Sequence, residues 1–178
     1  GIYSVGFSQR DAGHAMTEHL LQRGRRRIMF VAAQLDARTM QRAEGYRRSM
    51  RDAGSYDPKL ELLTPERSSM ALGARLFAEA RRKVRDVDAL FLCNDDLAHG
   101  ALMAALRKGV KVPEDIAIAG FNDLPGSDQL VPRLTTVRTP RGEIGVAAAK
   151  MLLGLMQGHA IESPALDLGF TVMARESA

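Results

Sequence analysis

The tightest constraint on this chain is an alternation of short, wholly apolar runs with longer amphipathic segments. Residues 28–32 read Ile-Met-Phe-Val-Ala, residues 89–93 repeat the pattern, and residues 116–120 carry it again, with Val137 closing a further short run; residues 60–63, Leu-Glu-Leu-Leu, are a strand candidate interrupted by one charge. Apolar on both alternating faces, such runs suit strands buried on both sides, as in a parallel sheet covered by helices. Between them, residues 11–23, 39–53, 68–83, 96–108 and 141–157 place apolar side chains at helical spacing. Gly24, Gly54, Gly109 and Gly158 follow four of these segments, where a helix ends in the left-handed conformation that glycine adopts without penalty. Ser68 or Ser69 is placed to open the third helix. A last strand is expected at 166–172. The order implies an α/β fold, a doubly wound parallel sheet with helices on both faces.

Composition sets the limits within which that sheet works. A length of 178 residues with 46% hydrophobic content buries a core of one domain or an unequal pair of lobes. No apolar run approaches the roughly 20 residues that cross a bilayer, so no membrane partner and a soluble, cytoplasmic protein are expected. The single cysteine, Cys93, has no partner for an internal disulfide and lies in an apolar run, where it reads as a small buried side chain. A net charge of +4 favours acidic partners, but the arginines are scattered and no basic-aromatic stripe marks a nucleic-acid surface. The run Arg23-Gly24-Arg25-Arg26-Arg27 reads as a solvated turn. The first residue is Gly1 rather than Met, so a piece of a longer protein is expected.

The chemistry-bearing residues fall just after the strands. In parallel α/β sheets the ligand crevice lies outside the carboxyl ends of the strands. Asn94, Asp95 and Asp96 follow one strand, and Asn122 and Asp123 the next. Asp95 and Asp96 suit helix capping; Mg²⁺ binding is the lesser alternative. Asn94 carries both donor and acceptor, which suits a hydroxylated small molecule. Arg38 and Arg42 lie after the 28–32 strand, where two guanidinium groups hold a carboxylate or phosphate, or pair at the surface with Asp36 or Glu44. No catalytic template fits. Ser4 lies in Ile-Tyr-Ser-Val-Gly, without the first glycine of a nucleophile elbow, and neither a GxGxxG nor a GxxxxGK[ST] loop is present. His14, His19, His99 and His159 have no metal-ligand spacing. No enzyme activity, metal or cofactor is expected.

The series of strand ends resembles the effector-binding core of the lactose-repressor/galactose-repressor family of bacterial transcription regulators. The resemblance rests on Val5-Gly6-Phe7, the segment from Glu18 to Ile28, Gly45-Tyr46 after Arg42, Asn94-Asp95-Asp96-Leu97-Ala98-His99-Gly100, the run from Val112 to Asp123, and Pro132-Arg133-Leu134-Thr135-Thr136-Val137. These span almost the whole chain. Leu35 to Thr39, Cys93 to Asp96 and Leu166 to Thr171 look most like the gluconate-utilisation repressor branch.

The resemblance implies a periplasmic-binding-protein-like (type I) C-terminal lobe at residues 7–136, lacking most of the N-terminal lobe. It assigns 140–165 to a helix and crossover belonging to that other lobe, and 166–178 to a final strand and tail. A DNA-binding helix-turn-helix is absent from the sequence. The implied function is effector sensing in a transcriptional repressor, with a small sugar or sugar acid such as gluconate bound between lobes. Operator DNA is engaged only through the missing N-terminal domain, and the protein is a homodimer. A periplasmic-type sugar-binding protein is the alternative, and an enzyme on the same fold a lesser one. Effector contacts carried over by position are Arg38, Arg42, Ser68, Asn94 and Asn122, with Thr139 near the lobe crossover. Many sugar-binding members have aspartate where Asn122 stands; asparagine removes a charge that repels a carboxylate. The helix at 141–157 would normally pack on the missing lobe, leaving its apolar face to a second chain or a swapped association.

Overall fold

The computed structural model describes residues 2–161 and 163–178. Its elements follow the expected alternation: β1 (Ser4–Gly6), α1 (Gln9–Gln22), β2 (Ile28–Ala33), α2 (Ala37–Asp52), a 3₁₀ turn (Pro58–Leu60), β3 (Glu61–Thr64), α3 (Met70–Lys83), β4 (Ala89–Leu92), α4 (Asp95–Arg107), β5 (Ala117–Ala119), β6 (Thr136–Arg138), α5 (Arg141–Met156), β7 (Ala165–Asp167) and β8 (Thr171–Met173).

β2 to β5 form a parallel sheet in the order β3-β2-β4-β5. Every residue of β2, β4 and β5 is buried, as runs apolar on both faces require. The chain leaves β2 in one direction to β3, then returns past β2 to β4 and β5. With right-handed crossovers, that reversal places α2 on one face and α3 and α4 on the other. The helices pack accordingly as two pairs, α1 with α2 and α3 with α4. Each pair is joined by glycines on both members. A Cβ on Gly13 or Gly45 would strike the backbone at Arg42 or Arg10, and one on Gly73 or Gly100 the backbone at Leu97 or Met70. Phe30 anchors the core beneath α2, with its ring centroid 5.4 Å from that of Tyr46 and 5.3 Å from that of Phe91.

The far edge departs from the expected single strand at 166–172. Gly169, with φ of 70°, breaks it into β7, parallel to β1, and β8, antiparallel to β6. A left-handed residue cannot continue a ladder, so the chain changes partner there. β6 joins the sheet through bridges beside β5. The tail then returns to the core: Ser177 Oγ accepts from Thr135 N at 2.8 Å and donates to Ile118 O at 2.6 Å.

β1, β7 and α5 stand apart from this body. None of the 16 residues of α5 is buried. Val146, Leu152, Leu153 and Met156 are more than half exposed. No helix of the described chain is long and apolar enough to cross a membrane.

Candidate functional site

The reversal of strand order puts a crevice at the carboxyl ends of β2 and β4, where their loops diverge towards opposite faces. Three loops are tied together there. Gln34, after β2, accepts from Ser68 N through its side-chain oxygen at 3.1 Å, and Ser68 Oγ donates to Asn94 Oδ1 at 2.9 Å. Asn94 Oδ1 also accepts from Leu97 N at 3.2 Å, which makes Asn94 the cap of α4.

The expected capping by Asp95 and Asp96 is therefore corrected. Asn94 is the last extended residue before the helix, so its side chain can fold back onto the first turn. Asp95 points inward and is fully buried, whereas Asp96 is exposed. Asp96 keeps a favourable place at the positive end of the helix dipole but caps nothing. Because the two carboxylates diverge, they do not form an acidic pocket. Likewise Ser69, not Ser68, caps α3 by accepting from Leu72 N at 3.1 Å; Ser68 is left to the crevice.

The two arginines separate in the same way. Arg38 lies on the rim, its side chain 72% exposed, and pairs with Asp36 at 3.2 Å. Asp36 caps α2, and the hydrogen bonds of Thr39, from its backbone N–H first and its side chain next, with a lesser one from Arg38, outweigh burial and hold its carboxyl below the usual range. One turn further, Arg42 is only 8% exposed. Its Nε donates to Gln9 Oε1 at 2.7 Å, its Nη1 to Cys93 O at 2.5 Å, and its guanidinium carbon lies 3.8 Å from the centroid of Phe121. Phe7 backs that ring at 6.3 Å. Burial lowers the Arg42 pKa from 12.5 to about 10, so it remains a cation at neutral pH. Among the described residues it has no carboxylate in salt-bridge contact, since Asp36 holds Arg38 and Glu44 holds Arg10 at 2.6 Å.

Asn122 follows β5 with φ of 112°, its backbone fixed by donation to Val137 O at 2.8 Å. Its neighbour Asp123 accepts from Arg138 Nε at 2.7 Å and Arg175 Nη1 at 2.8 Å. Burial alone would raise the Asp123 pKa, but these two guanidinium groups outweigh it and hold the carboxyl low. Thr139 is 7% exposed, and its buried hydroxyl makes no hydrogen bond among the described residues. It lines a hollow of about 580 Å³ with Asn122, Asp123, Arg138, Arg141 and Glu143.

Ser68 and Asn94 are hydrogen-bonded, Arg42 reaches the carbonyl of Cys93 just before Asn94 and lies on the ring of Phe121 just before Asn122, and Arg38 stays at the rim. Thr139 shares a hollow with Asn122 but not with Arg42. Gln9 and Phe121, both holding Arg42, escaped the sequence reading. The aromatic residue directly before Asn122, at a strand end, was the available signal for Phe121. Of the histidines, His14 Nδ1 meets Ser49 Oγ at 2.6 Å and His99 Nε2 meets Ser127 Oγ at 3.0 Å. Burial, with Arg23 second, lowers the pKa of His19. No group of three or more metal-ligating side chains gathers among the described residues.

Residues 17–178 match the family model of the periplasmic binding protein-like domain. The chain belongs to that family. The resemblance to lactose-repressor-type regulators is borne out by its relatives. The HTH-type transcriptional regulator GntR of Pseudomonas aeruginosa is 59% identical over 177 residues, covering 99% of this chain and 52% of that protein. The crystal structure of the transcription regulator GntR from Chromobacterium violaceum superposes with a TM-score of 0.97 at 53% identity, over 99% of this chain and 65% of that one. The transcriptional regulator CelR–cellobiose complex superposes at 0.90 with 29% identity, over 99% and 54%. These relatives are transcriptional regulators rather than enzymes. The chain spans about half the length of the curated relatives it matches.

Proposed function

We propose that this periplasmic-binding-protein-like chain carries the C-terminal lobe, residues 7–136, with the crossover, and lacks most of the N-terminal lobe, of the effector-sensing core of a cytoplasmic transcriptional repressor. Residues 140–165 belong to the opposite lobe in this reading, which accounts for the unburied α5: its apolar face packs on the sheet that the rest of the protein supplies. The effector is a small sugar acid such as gluconate, bound between lobes, with operator DNA engaged by a separate N-terminal domain. Its preference for open or closed lobes shifts DNA affinity elsewhere in the protein. The intact regulator is a homodimer, for which exposed Leu106 and Val131, beside an apolar hollow lined by Leu102 and Pro132, offer surface.

One observation carries the ligand class. Arg42 is a buried cation whose partners are a carbonyl, an amide oxygen and an aromatic face, and a buried charge without a counter-charge is costly. A carboxylate in the crevice supplies the missing charge, while the Asn94 and Asn122 amides and Ser68 suit the hydroxyls of a polyol chain. The nearest acid after β5, Asp123, is neutralised by two arginines and repels little.

The test is calorimetric titration of gluconate, and of glucose as the neutral control, into the protein with its upstream lobe present. Gluconate binds and glucose does not; Arg42→Ala abolishes the difference. Equal binding of both sugars, or gluconate binding indifferent to Arg42→Ala, removes the sugar-acid assignment.

A further inference from the structure

Asp95 lies at the centre of the crevice's foundations and touches nothing that the proposed ligand would touch. It is fully buried, yet among the described residues no cation lies within hydrogen-bond distance. Its Oδ2 accepts from Leu124 N at 2.7 Å and Ser127 Oγ at 3.2 Å, and its Oδ1 from Thr136 Oγ1 at 2.7 Å. Its own backbone N–H donates to Phe121 O at 3.0 Å. The partners sit on the loop after β5 and on β6, so a residue at the start of α4 binds two other segments. The fit is close: a Cβ on Gly120 would collide with the Asp95 carboxylate.

The choice of an acid here has a chemical reason. Three donors converge on one side chain. A carboxylate is acceptor-only and takes all three as charge-assisted bonds, whereas an asparagine keeps the Leu124 N–H and Ser127 Oγ on a single neutral oxygen and requires the Thr136 hydroxyl to reverse and accept from its amide. The Leu124 N–H, unlike a hydroxyl, cannot turn to accept. Burial pushes the Asp95 carboxyl pKa up even with these hydrogen bonds, so the acid is held in an environment that disfavours its charge.

The loop it holds also carries unusual backbone. Asn122 and Asp123 have φ of 112° and 52°, and neither is glycine. Residues in such conformations persist only where their surroundings fix them. Asp95 supplies the fixing on both sides of the pair, through Phe121 O before it and Leu124 N after it. Asn94, adjacent in the chain, is thereby set at a defined separation from Asn122. The Phe121 ring that supports Arg42 belongs to the same clamped segment.

We propose that Asp95 is a positioning residue of the effector site: it locks the 121–127 loop so that the Asn94 and Asn122 amides and the Arg42 guanidinium converge on one ligand. This rests on the sugar-acid reading for the ligand, but the lock itself is testable without one.

The first measurement is amide hydrogen exchange on the 178-residue chain with Asp95→Asn. Exchange at Leu124 should accelerate about tenfold or more beyond any change at core amides of β2 and β4, because a local lock opens without global unfolding. Thr136→Val, which removes one donor and spares the acid, should show the same local signature more weakly, and it decides the matter if Asp95→Asn does not fold. Uniform acceleration across the core, or an unchanged Leu124, overturns the lock. The second measurement is gluconate titration of the two-lobed protein. Asp95→Asn should weaken binding by about tenfold, as loss of supporting contacts loosens a site, while Asp96→Asn leaves it unchanged. Undiminished binding by Asp95→Asn overturns the positioning role. Failure of the wild type to bind gluconate sinks the ligand assignment, and the exchange arm still decides the lock.

Discussion

Replacing Arg42 with methionine separates the cost of the crevice from its use. Burial lowers the arginine pKa from 12.5 to about 10, a gap worth about 3 kcal/mol against the charged form in the folded state. The sign follows from the direction. Below about pH 10 the side chain is protonated in both folded and unfolded chains and the full penalty is present; it is relieved only as pH rises through the folded value. Methionine removes that penalty and keeps an apolar stem over the Phe121 ring. It also strips Cys93 O of its donor, which costs about 1–3 kcal/mol for a buried acceptor. Gln9 is only half-buried and recovers water. The terms nearly cancel, so Arg42→Met should unfold in urea within about 1 kcal/mol of the parent, a shift of roughly 2–4 °C in Tm for a chain of this size. Arg175→Met is the control, because that guanidinium does meet a carboxylate, Asp123, at 2.8 Å; it should cost more than Arg42→Met. Equilibrium denaturation followed by far-ultraviolet circular dichroism reads both. A loss of about 3 kcal/mol or more in Arg42→Met would make Arg42 a structural clamp and refute the argument that its charge awaits a ligand.

Two paired substitutions test the packing and the cap. Gly73→Ala should destabilise by about 1–3 kcal/mol because its methyl meets the Leu97 backbone across α3 and α4, whereas Gly145→Ala, in open space on α5, should stabilise that helix by about 0.5–1 kcal/mol; thermal melts of the two should move in opposite directions. Asn94→Ala should cost about 1 kcal/mol as the cap is lost, and Asp96→Ala should stay within about 0.5 kcal/mol; the reverse order in urea unfolding would restore the aspartate as the cap.

The sheet was legible because β2, β4 and β5 are apolar on both faces and four of the five helical segments are followed by glycine, signals that operate within a few residues. What was not legible depends on partners far away in sequence. Asp95 read as a cap because an acid after a strand usually is one, but the donors that turn it inward lie 29, 32 and 41 residues further on. The division of β7 from β8 turned on Gly169, whose neighbours Leu168 and Phe170 read as continuous strand. Periodicity marked the apolar face of α5 but not what covers it; that this face would lack its partner came from the family resemblance and not from spacing.

The site followed the same division, and there the distinction carries the function. Arg38 and Arg42 are one helical turn apart and chemically identical, so residue type assigns both to the same role. Their difference lies in what surrounds them: Asp36 neutralises the first in solvent, while Gln9, Cys93 O and Phe121 enclose the second without neutralising it. Exposed ion pairs contribute little and report little. A buried cation in direct contact only with dipoles and a ring is different: burial outweighs Asp36 and Asp95, which favour its charge from a distance, and on the proposed reading an anion offsets the remaining cost. The same comparison explains why Asp123 is a poor candidate for direct ligand contact despite adjoining Asn122: its charge is already matched twice. On the proposed reading, the side chains that recognise an effector are those whose charges and amide donors the fold encloses and leaves unmatched, which singles out Arg42 and the amides near it for the titrations.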